Sequence, residues 1–268
     1  MVRNGPLAGL FAQVTVLAAL ELSIGLDKPG WAVGVGYATV TAVLLHRGLA
    51  GGRFGPADWV TQARTVLIGG VTALIADAFH RDPPVTAVAT LVVVALLLDG
   101  VDGQVARRTG TASAFGARFD MEIDSFLLLA LSVYVARDHG AWVLAIGGMR
   151  YAFLLGIWTT GWMRGQLPPR YWRKVVAAVQ GIALVVATAG VLPAPLTVAA
   201  LVAALALLVE SFGRDVLWLW HDGHPVGSRL GIRDGAGAAT VAVVSRQRDR
   251  DRVDAGHGYR RSATSGAR

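Results

Sequence analysis

The feature that most constrains this chain is a series of long apolar runs separated by short polar connections. A helix needs about 20 mostly apolar residues to cross the hydrocarbon core of a membrane. The connections contain Pro and Gly, which end helices, as in "DKPG" at 27–30 and "RDPP" at 81–84. We therefore predict eight membrane helices, at roughly 7–25, 31–46, 58–79, 85–105, 117–136, 140–162, 174–192 and 196–220.

The composition agrees with an all-α integral membrane protein. Of the 268 residues, 54% are hydrophobic and only 16% are charged, whereas about 25% of the residues in a soluble domain are charged. The mean hydropathy is +0.51. The chain contains no cysteine, which excludes disulfides, thiolate metal ligands and cysteine nucleophiles.

The basic residues are distributed unequally between the two sides of the predicted bundle. One side collects eleven of them: Arg3, Arg47, Arg53, Arg64, Arg107, Arg108, Arg118, Arg164, Arg170, Arg173 and Lys174. The opposite side has three: Lys28, Arg81 and Arg137. The positive-inside rule places the richer side in the cytoplasm. We predict a bacterial cytoplasmic membrane, with both termini on the cytoplasmic side.

The chain divides into three predicted parts. Residues 1–56 contain two additional helices, and residues 57–220 form a six-helix unit. Residues 221–268 form a basic tail, rich in Arg, Gly, Ser and Asp, that cannot bury a core and is predicted to be disordered. We interpret its charge as attraction to anionic lipid headgroups rather than to nucleic acid, because no nucleic-acid-binding module accompanies it.

Acidic residues stand between two apolar runs, in the stretch "DGVDGQVARRTGTASAFGARFDMEIDS" at 99–125. On a helix, Asp99 and Asp102 share one face. Asp120 and Asp124 share a face of the next helix, while Glu122 points elsewhere. Because consecutive helices joined by a short turn are antiparallel neighbours, the four carboxylates of the two faces are predicted to converge near the cytoplasmic membrane boundary.

Converging carboxylates need a positive partner, because like charges repel and a buried ionised carboxylate costs several kcal/mol. Oxygen ligands without nearby His or Cys favour Mg²⁺ or Mn²⁺ over zinc. Two such ions close together are a device for phosphoryl chemistry. The sequence therefore predicts a site for two divalent ions.

Small residues accompany the acids. Gly100 and Gly103 each cost roughly 1 kcal/mol inside a helix relative to Ala. They either let a bulky ligand approach the backbone or let the two helices pack closely. Next to four aligned carboxylates, we favour the ligand.

Together these residues fill every fixed position of D-x-x-D-G-x-x-A-R, eight further residues, and G-x-x-x-D-x-x-x-D. The pattern resembles the signature of the CDP-alcohol phosphotransferase family. The resemblance covers 58–220, but not the first two helices or the tail. It implies a six-helix membrane enzyme, commonly a homodimer, that transfers a substituted phosphate from a CDP-linked donor to an alcohol and releases CMP.

The resemblance also implies individual roles. The implied metal ligands are Asp99, Asp102 and Asp120. Asp124 would approach the metals and act as the general base. The residues bordering the cytidine nucleotide would be Gly103, Ala106 and Gly116. Arg107 would lie near the nucleotide phosphates.

A second pattern of the family, N-x-L-T-x-x-R, is partly matched by "DWVTQAR" at 58–64. Thr61 and Arg64 agree with it and are assigned to nucleotide binding on this resemblance. Asp58 stands where the pattern has Asn, and Val60 stands where it has Leu.

The acceptor site is predicted from basic residues on the route from the cytoplasm. Arg150 lies about halfway along a span, where a charge usually faces a cavity; the alternative is an ion pair with a membrane acid such as Glu210. Arg173 and Lys174 open the following helix and are candidates to bind an acceptor phosphate. We expect CDP-diacylglycerol as the donor and a small polyol or its phosphate as the acceptor.

Two other classes of protein remain open. A cation transporter with an aspartate-lined path explains acids within apolar spans, but not the Gly, Ala and Arg positions. A catalytically inactive membrane scaffold is disfavoured because all four aspartates are present. Release of CMP distinguishes the enzyme from both.

Overall fold

The computed structural model describes residues 5–48, 55–109, 114–164 and 171–223. Within these ranges the chain is helical and has no β-strand. The predicted all-α architecture, with two helices before a six-helix unit, is confirmed. The part of the predicted basic tail that follows Gly223 lies outside the described residues. All the packing described below lies within the unit Met1–Trp220.

The helix ends agree with the predicted ends to within a few residues. The α-helices are α1 (Gly5–Ile24), α2 (Lys28–Gly48), α3 (Pro56–Asp77), α4 (Val85–Thr109), α5 (Ala114–His139), α6 (Leu144–Thr159), α7 (Tyr171–Ala189) and α8 (Ala194–Gly223). The predicted span 140–162 consists of α6 between two 3₁₀ helices, Ala141–Val143 and Gly161–Arg164. Gly140, with φ of 97°, separates it from α5 in a conformation that favours glycine.

Within the described part of the chain, five helices are long and apolar enough to cross a membrane. Their apolar stretches are Leu7–Ile24, Asp58–Asp77, Ala141–Thr159, Tyr171–Ala189 and Ala194–His221. In α4 the apolar part is shorter, Val85–Val101, because the acidic stretch begins at Asp99. The first half of α5 carries the remaining acids. The chain is a multi-pass membrane protein whose polar residues are concentrated where α4 ends and α5 begins.

The central helix is α3. It packs against α1, α2, α4 and α5. Its apolar stretch is 61% buried, whereas the other four stretches are 17–33% buried. A polar side chain on α3 is therefore enclosed by protein on most sides.

Two buried glutamines join α1 to α3. Gln13 of α1 lies over Gly69 of α3, and Gln62 of α3 lies over Gly9 of α1. A Cβ at either glycine would overlap the amide group of the opposite glutamine. The exchanged contacts allow the two helices to approach closely.

A carboxylate at the end of α3 fixes the start of α2. Asp77 is fully buried. It accepts hydrogen bonds from the backbone N–H groups of Asp27, at 2.8 Å, and Gly30, at 3.0 Å. These N–H groups have no partner within α2, and the positive end of the helix dipole favours an acid there. Arg81, at 3.6 Å, adds a compensating charge.

A second close approach holds α5 against α6. A Cβ at Gly147 of α6 would lie 2.7 Å from the carbonyl oxygen of Leu128 and from the backbone nitrogen of Leu129. These atoms belong to the backbone of α5 and cannot rotate away. The neighbouring Gly148 is different, because a Cβ there would meet no atom within 4 Å.

We therefore expect Gly147→Ala to destabilise the protein by about 1–3 kcal/mol, because the α5–α6 crossing must widen. Gly148→Ala is the matched control and should stabilise α6 by up to about 1 kcal/mol. The midpoint of thermal unfolding in detergent measures both effects. Equal midpoints for the two variants would contradict the described packing.

Candidate active site

Three aspartates from two helices lie side by side. One carboxylate oxygen each of Asp99, Asp120 and Asp124 lies within 4.8 Å of the others. The side chains are 35–42% exposed, so solutes can reach them. The structure thus brings together three of the four predicted carboxylates. Asp102 follows Asp99 by about one turn of α4, and its side chain lies outside the described residues.

The spacing along the helices explains this arrangement. Asp120 and Asp124 are four residues apart on α5 and therefore point in the same direction. Asp99 lies on α4, and both α4 and α5 pack against α3. Three acids from separate turns therefore face one region of α3.

The residue that meets them there is Arg64. Its side chain is fully buried. One guanidinium nitrogen, Nη1, lies 2.9 Å from Oδ1 of Asp99 and also donates to Oδ1 of Asp120. The other, Nη2, donates to Oδ1 of Asp124. One arginine from the centre of the bundle thus contacts all three aspartates.

Sequence reasoning assigned Arg64 to the nucleotide and missed this contact. One sequence feature did indicate such a contact: Arg64 is an isolated charge within an apolar span, and a charge there almost always pairs with another polar group. The identity of the partners depends on how α3 packs against α4 and α5, which the sequence does not state.

The cluster has the donor set for a divalent metal. Three carboxylates against one guanidinium leave two negative charges, which one divalent cation would balance. The reachable donors are oxygens, and oxygen ligands suit Mg²⁺, Mn²⁺ or Ca²⁺. The residues present therefore fit a divalent ion, and Asp99, Asp120 and Asp124 are the side chains that would hold it.

The start of α3 accounts for the departure from the second pattern. The Asp58 carboxylate accepts a hydrogen bond of 2.6 Å from the N–H of Gly55. An acid at this position satisfies a free N–H and interacts favourably with the helix dipole. Thr61, only 9% exposed, lies one turn before Arg64.

The small residues of the signature are only partly described. A Cβ at Gly100 would meet no atom within 4 Å, so helix packing does not require glycine there. Gly116 is half-buried on the same face of α5 as Asp120. The structure does not describe the surroundings of three further predicted nucleotide contacts: Gly103, Ala106 and Arg107.

An apolar pocket of about 480 Å³ lies against α5, the helix that carries Asp120 and Asp124, and was not predicted. It lies between α2, α5 and α6, and its walls include Tyr37, Leu44, Phe119, Glu122, Ile123 and Tyr151. Phe119 and Ile123 immediately precede Asp120 and Asp124 in α5. The pocket therefore lies along a different face of α5 from the one that carries the aspartates.

The partner of Arg150 differs from the suggested one. Arg150 pairs with Glu122 on α5, and its Nη1 lies 3.0 Å from Sδ of Met121. An ion pair with an acid was one of the two predicted alternatives and is present, but the acid is Glu122 rather than Glu210. Glu210 accepts from Nε1 of Trp172 at 3.0 Å and pairs with Arg214 of its own helix. Arg150 and Glu122 together form a polar edge of the apolar pocket.

The two basic residues at the start of α7 differ in their surroundings. Arg173 makes two contacts with the buried Asp215 of α8, from Nε at 2.9 Å and from Nη2 at 3.0 Å. Lys174 is exposed and has no ion pair within the described ranges. The guanidinium of Arg173 is therefore already engaged in joining α7 to α8.

The fold and the cluster define a multi-pass, all-α membrane protein with a carboxylate site on its fourth and fifth helices. A family model described as CDP-alcohol phosphatidyltransferase matches residues 54–210. The chain belongs to this family, and the resemblance stated from its motifs is confirmed. No curated protein and no solved structure matches the chain.

Membership makes the protein a transferase of phospholipid biosynthesis. It implies phosphatidyl transfer from a CDP-alcohol donor to an alcohol within a membrane, in a family that typically uses divalent metals. Helices α1 and α2 lie before the matched segment. One wall of the apolar pocket is therefore an addition to the family's common unit.

We expect Arg173→Gln to destabilise the protein by about 1–3 kcal/mol, because it leaves Asp215 buried without its charged partner. Lys174→Gln is the matched control at the next, exposed position and should leave stability unchanged within about 0.5 kcal/mol. Chemical unfolding in mixed micelles compares them. If Lys174→Gln has the larger effect, the contact with Asp215 does not hold α7 to α8.

Proposed function

We propose that the protein transfers the phosphatidyl group of CDP-diacylglycerol to a small alcohol or polyol, or to its phosphate, and releases CMP. The observation that carries this proposal is the group Asp99, Asp120 and Asp124, formed by two helices within the segment that matches the family. An apolar pocket beside the same helix supports a lipid donor.

In this proposal the aspartates, with Asp102, hold two divalent ions, Mg²⁺ or Mn²⁺. Bound there, the ions neutralise the charge of the donor diphosphate and of the leaving CMP. The carboxylates would fix the position of the ions and, through them, that of the diphosphate. Because they lie on helices packed against α3, that position is rigid, and positioning is a large part of phosphoryl transfer.

Asp124 is the proposed general base. An alcohol hydroxyl is a poor nucleophile near neutral pH unless a positioned group removes its proton. As the acceptor oxygen bonds to the phosphatidyl phosphorus, the proton passes to the carboxylate of Asp124. The phosphoanhydride bond breaks, and its electron pair leaves with CMP. Asp124 is 41% exposed, which leaves room for a hydroxyl beside it.

The nucleotide is proposed to lie along the small residues of the signature. An open position at Gly100 supports this, since a ligand rather than a neighbouring helix explains the glycine. The proposed contacts are Thr61, Arg64, Gly103, Ala106, Arg107 and Gly116. The two arginines would donate to phosphate oxygens.

The acceptor is proposed to enter from the cytoplasm, where basic residues attract a phosphorylated polyol. Lys174 is exposed and free of ion pairs within the described ranges, which favours it over Arg173. Arg150 is held by Glu122 at the pocket edge and would contact the acceptor from there. We retain as predictions the homodimer and the bacterial cytoplasmic membrane with both termini inside.

The direct test is to reconstitute the protein in vesicles with CDP-diacylglycerol, Mg²⁺ and a panel of polyols and polyol phosphates. We expect CMP release, a new phospholipid of matching mass, and loss of both in EDTA. Asp124→Asn should lower kcat by about 10²–10⁴-fold because the base is lost. Asp120→Asn should chiefly weaken Mg²⁺-dependent binding of CDP.

Calorimetric titration with CDP separates these two roles. Equal loss of CDP binding in both variants would remove the base assignment, while leaving the transferase intact. An absence of CMP with every acceptor in the panel would contradict the proposed reaction itself.

The pocket generates a separate prediction. Leu44→Trp narrows the pocket and should raise the KM for a long-chain donor about tenfold, while a short-chain donor is unaffected. Val43→Trp is the control, because Val43 is similarly exposed on α2 but does not line the pocket. If both variants leave the chain-length dependence unchanged, the acyl chain lies elsewhere.

A further inference from the structure

Arg64 contacts the same oxygen atoms that a metal would use. Its two terminal nitrogens approach Oδ1 of Asp99, Oδ1 of Asp120 and Oδ1 of Asp124. These are three separate side chains from two helices, and no other described arginine contacts three carboxylates. The guanidinium is thus the charge around which the cluster is arranged.

A divalent ion placed between the three Oδ1 atoms would compete with this guanidinium for the same space. Mg²⁺ binds oxygen ligands at about 2.0–2.1 Å. An ion at that distance from all three Oδ1 atoms would overlap the guanidinium nitrogens, and the two cations would repel each other. One must leave when the other binds, unless the metal is held only by the outer carboxylate oxygens.

We propose that Arg64 is an internal cation that occupies the aspartate cluster until a divalent ion displaces it, and that it then binds the donor diphosphate. The inference rests on the proposed function for the identity of the donor. It goes further by giving the arginine two successive partners and by setting an order of binding, metal before donor.

The energetics favour Arg64 at the aspartate cluster before the metal binds and at the donor diphosphate afterwards. Three carboxylates converging within a membrane bundle repel one another, and losing a buried partner such as Arg64 is strongly unfavourable. Arg64 removes that cost before a metal arrives. Once a divalent ion is bound, the repulsion between cations favours withdrawal, and the diphosphate supplies new acceptors for the same fork of N–H groups. Metal and donor should therefore bind cooperatively.

The test compares Mn²⁺ binding to detergent-purified wild type and Arg64→Gln, followed by electron paramagnetic resonance in the absence of nucleotide. Removal of the competing cation should tighten Mn²⁺ binding about tenfold. In EDTA, Arg64→Gln should unfold at a lower temperature than wild type, and saturating Mn²⁺ should abolish that difference. At saturating Mn²⁺, the affinity of Arg64→Gln for CDP should be about tenfold weaker than that of wild type.

Two further variants make the result decisive. Arg81→Gln is the control, because Arg81 pairs with Asp77 and Asp27 away from the cluster, and its Mn²⁺ affinity should equal that of wild type. Arg64→Lys retains a charge without the fork and should show a smaller gain in Mn²⁺ affinity; it replaces Arg64→Gln if that variant does not fold.

The outcomes separate the two proposals. Unchanged or weaker Mn²⁺ binding in the Arg64 variants means that Arg64 and the metal bind together, which overturns the displacement. Wild type that binds no Mn²⁺ at all overturns the metal site, and the displacement with it. Tighter Mn²⁺ binding without CMP release from CDP-diacylglycerol supports the displacement and counts against the proposed reaction alone.

Discussion

The contact between Arg64 and three aspartates is the interaction on which the architecture depends. Like charges on neighbouring membrane helices separate unless a counter-charge lies between them, because the surroundings screen them poorly. The counter-charge comes from α3, the most enclosed of the candidate spans. Its position lets α4 and α5 bring acids together within the segment that matches the family. The same three carboxylates would attract a divalent cation, which would compete with Arg64 for them.

The two additional helices contribute to this arrangement. Asp77, at the end of α3, accepts hydrogen bonds from N–H groups at the start of α2. The glutamine–glycine contacts join α1 to α3. Consequently α3 is fixed at both ends by helices outside the family segment. The second of these helices also forms one wall of an apolar pocket against α5. The N-terminal pair therefore supports α3, and its second helix also lines the pocket.

Periodicity was sufficient to predict the helices and the facing acids, because the direction of Asp120 and Asp124 follows from their spacing alone. The contacts of Arg64 and Arg150 were not predictable, since they depend on the rotation and tilt of packed helices. Arg150 reaches Glu122, the acid that periodicity directed away from the cluster, rather than Glu210 on α8. The pocket was not predictable for the same reason, because its volume depends on the separation of α2 from α5.

Anomalous X-ray scattering from crystals grown with Mn²⁺ and CDP tests the central claim most directly. The account predicts a manganese peak within coordination distance of Asp99, Asp120 and Asp124, with the Arg64 guanidinium moved from the carboxylates to the nucleotide diphosphate. A guanidinium still bound to all three aspartates, with no manganese peak beside them, would contradict it.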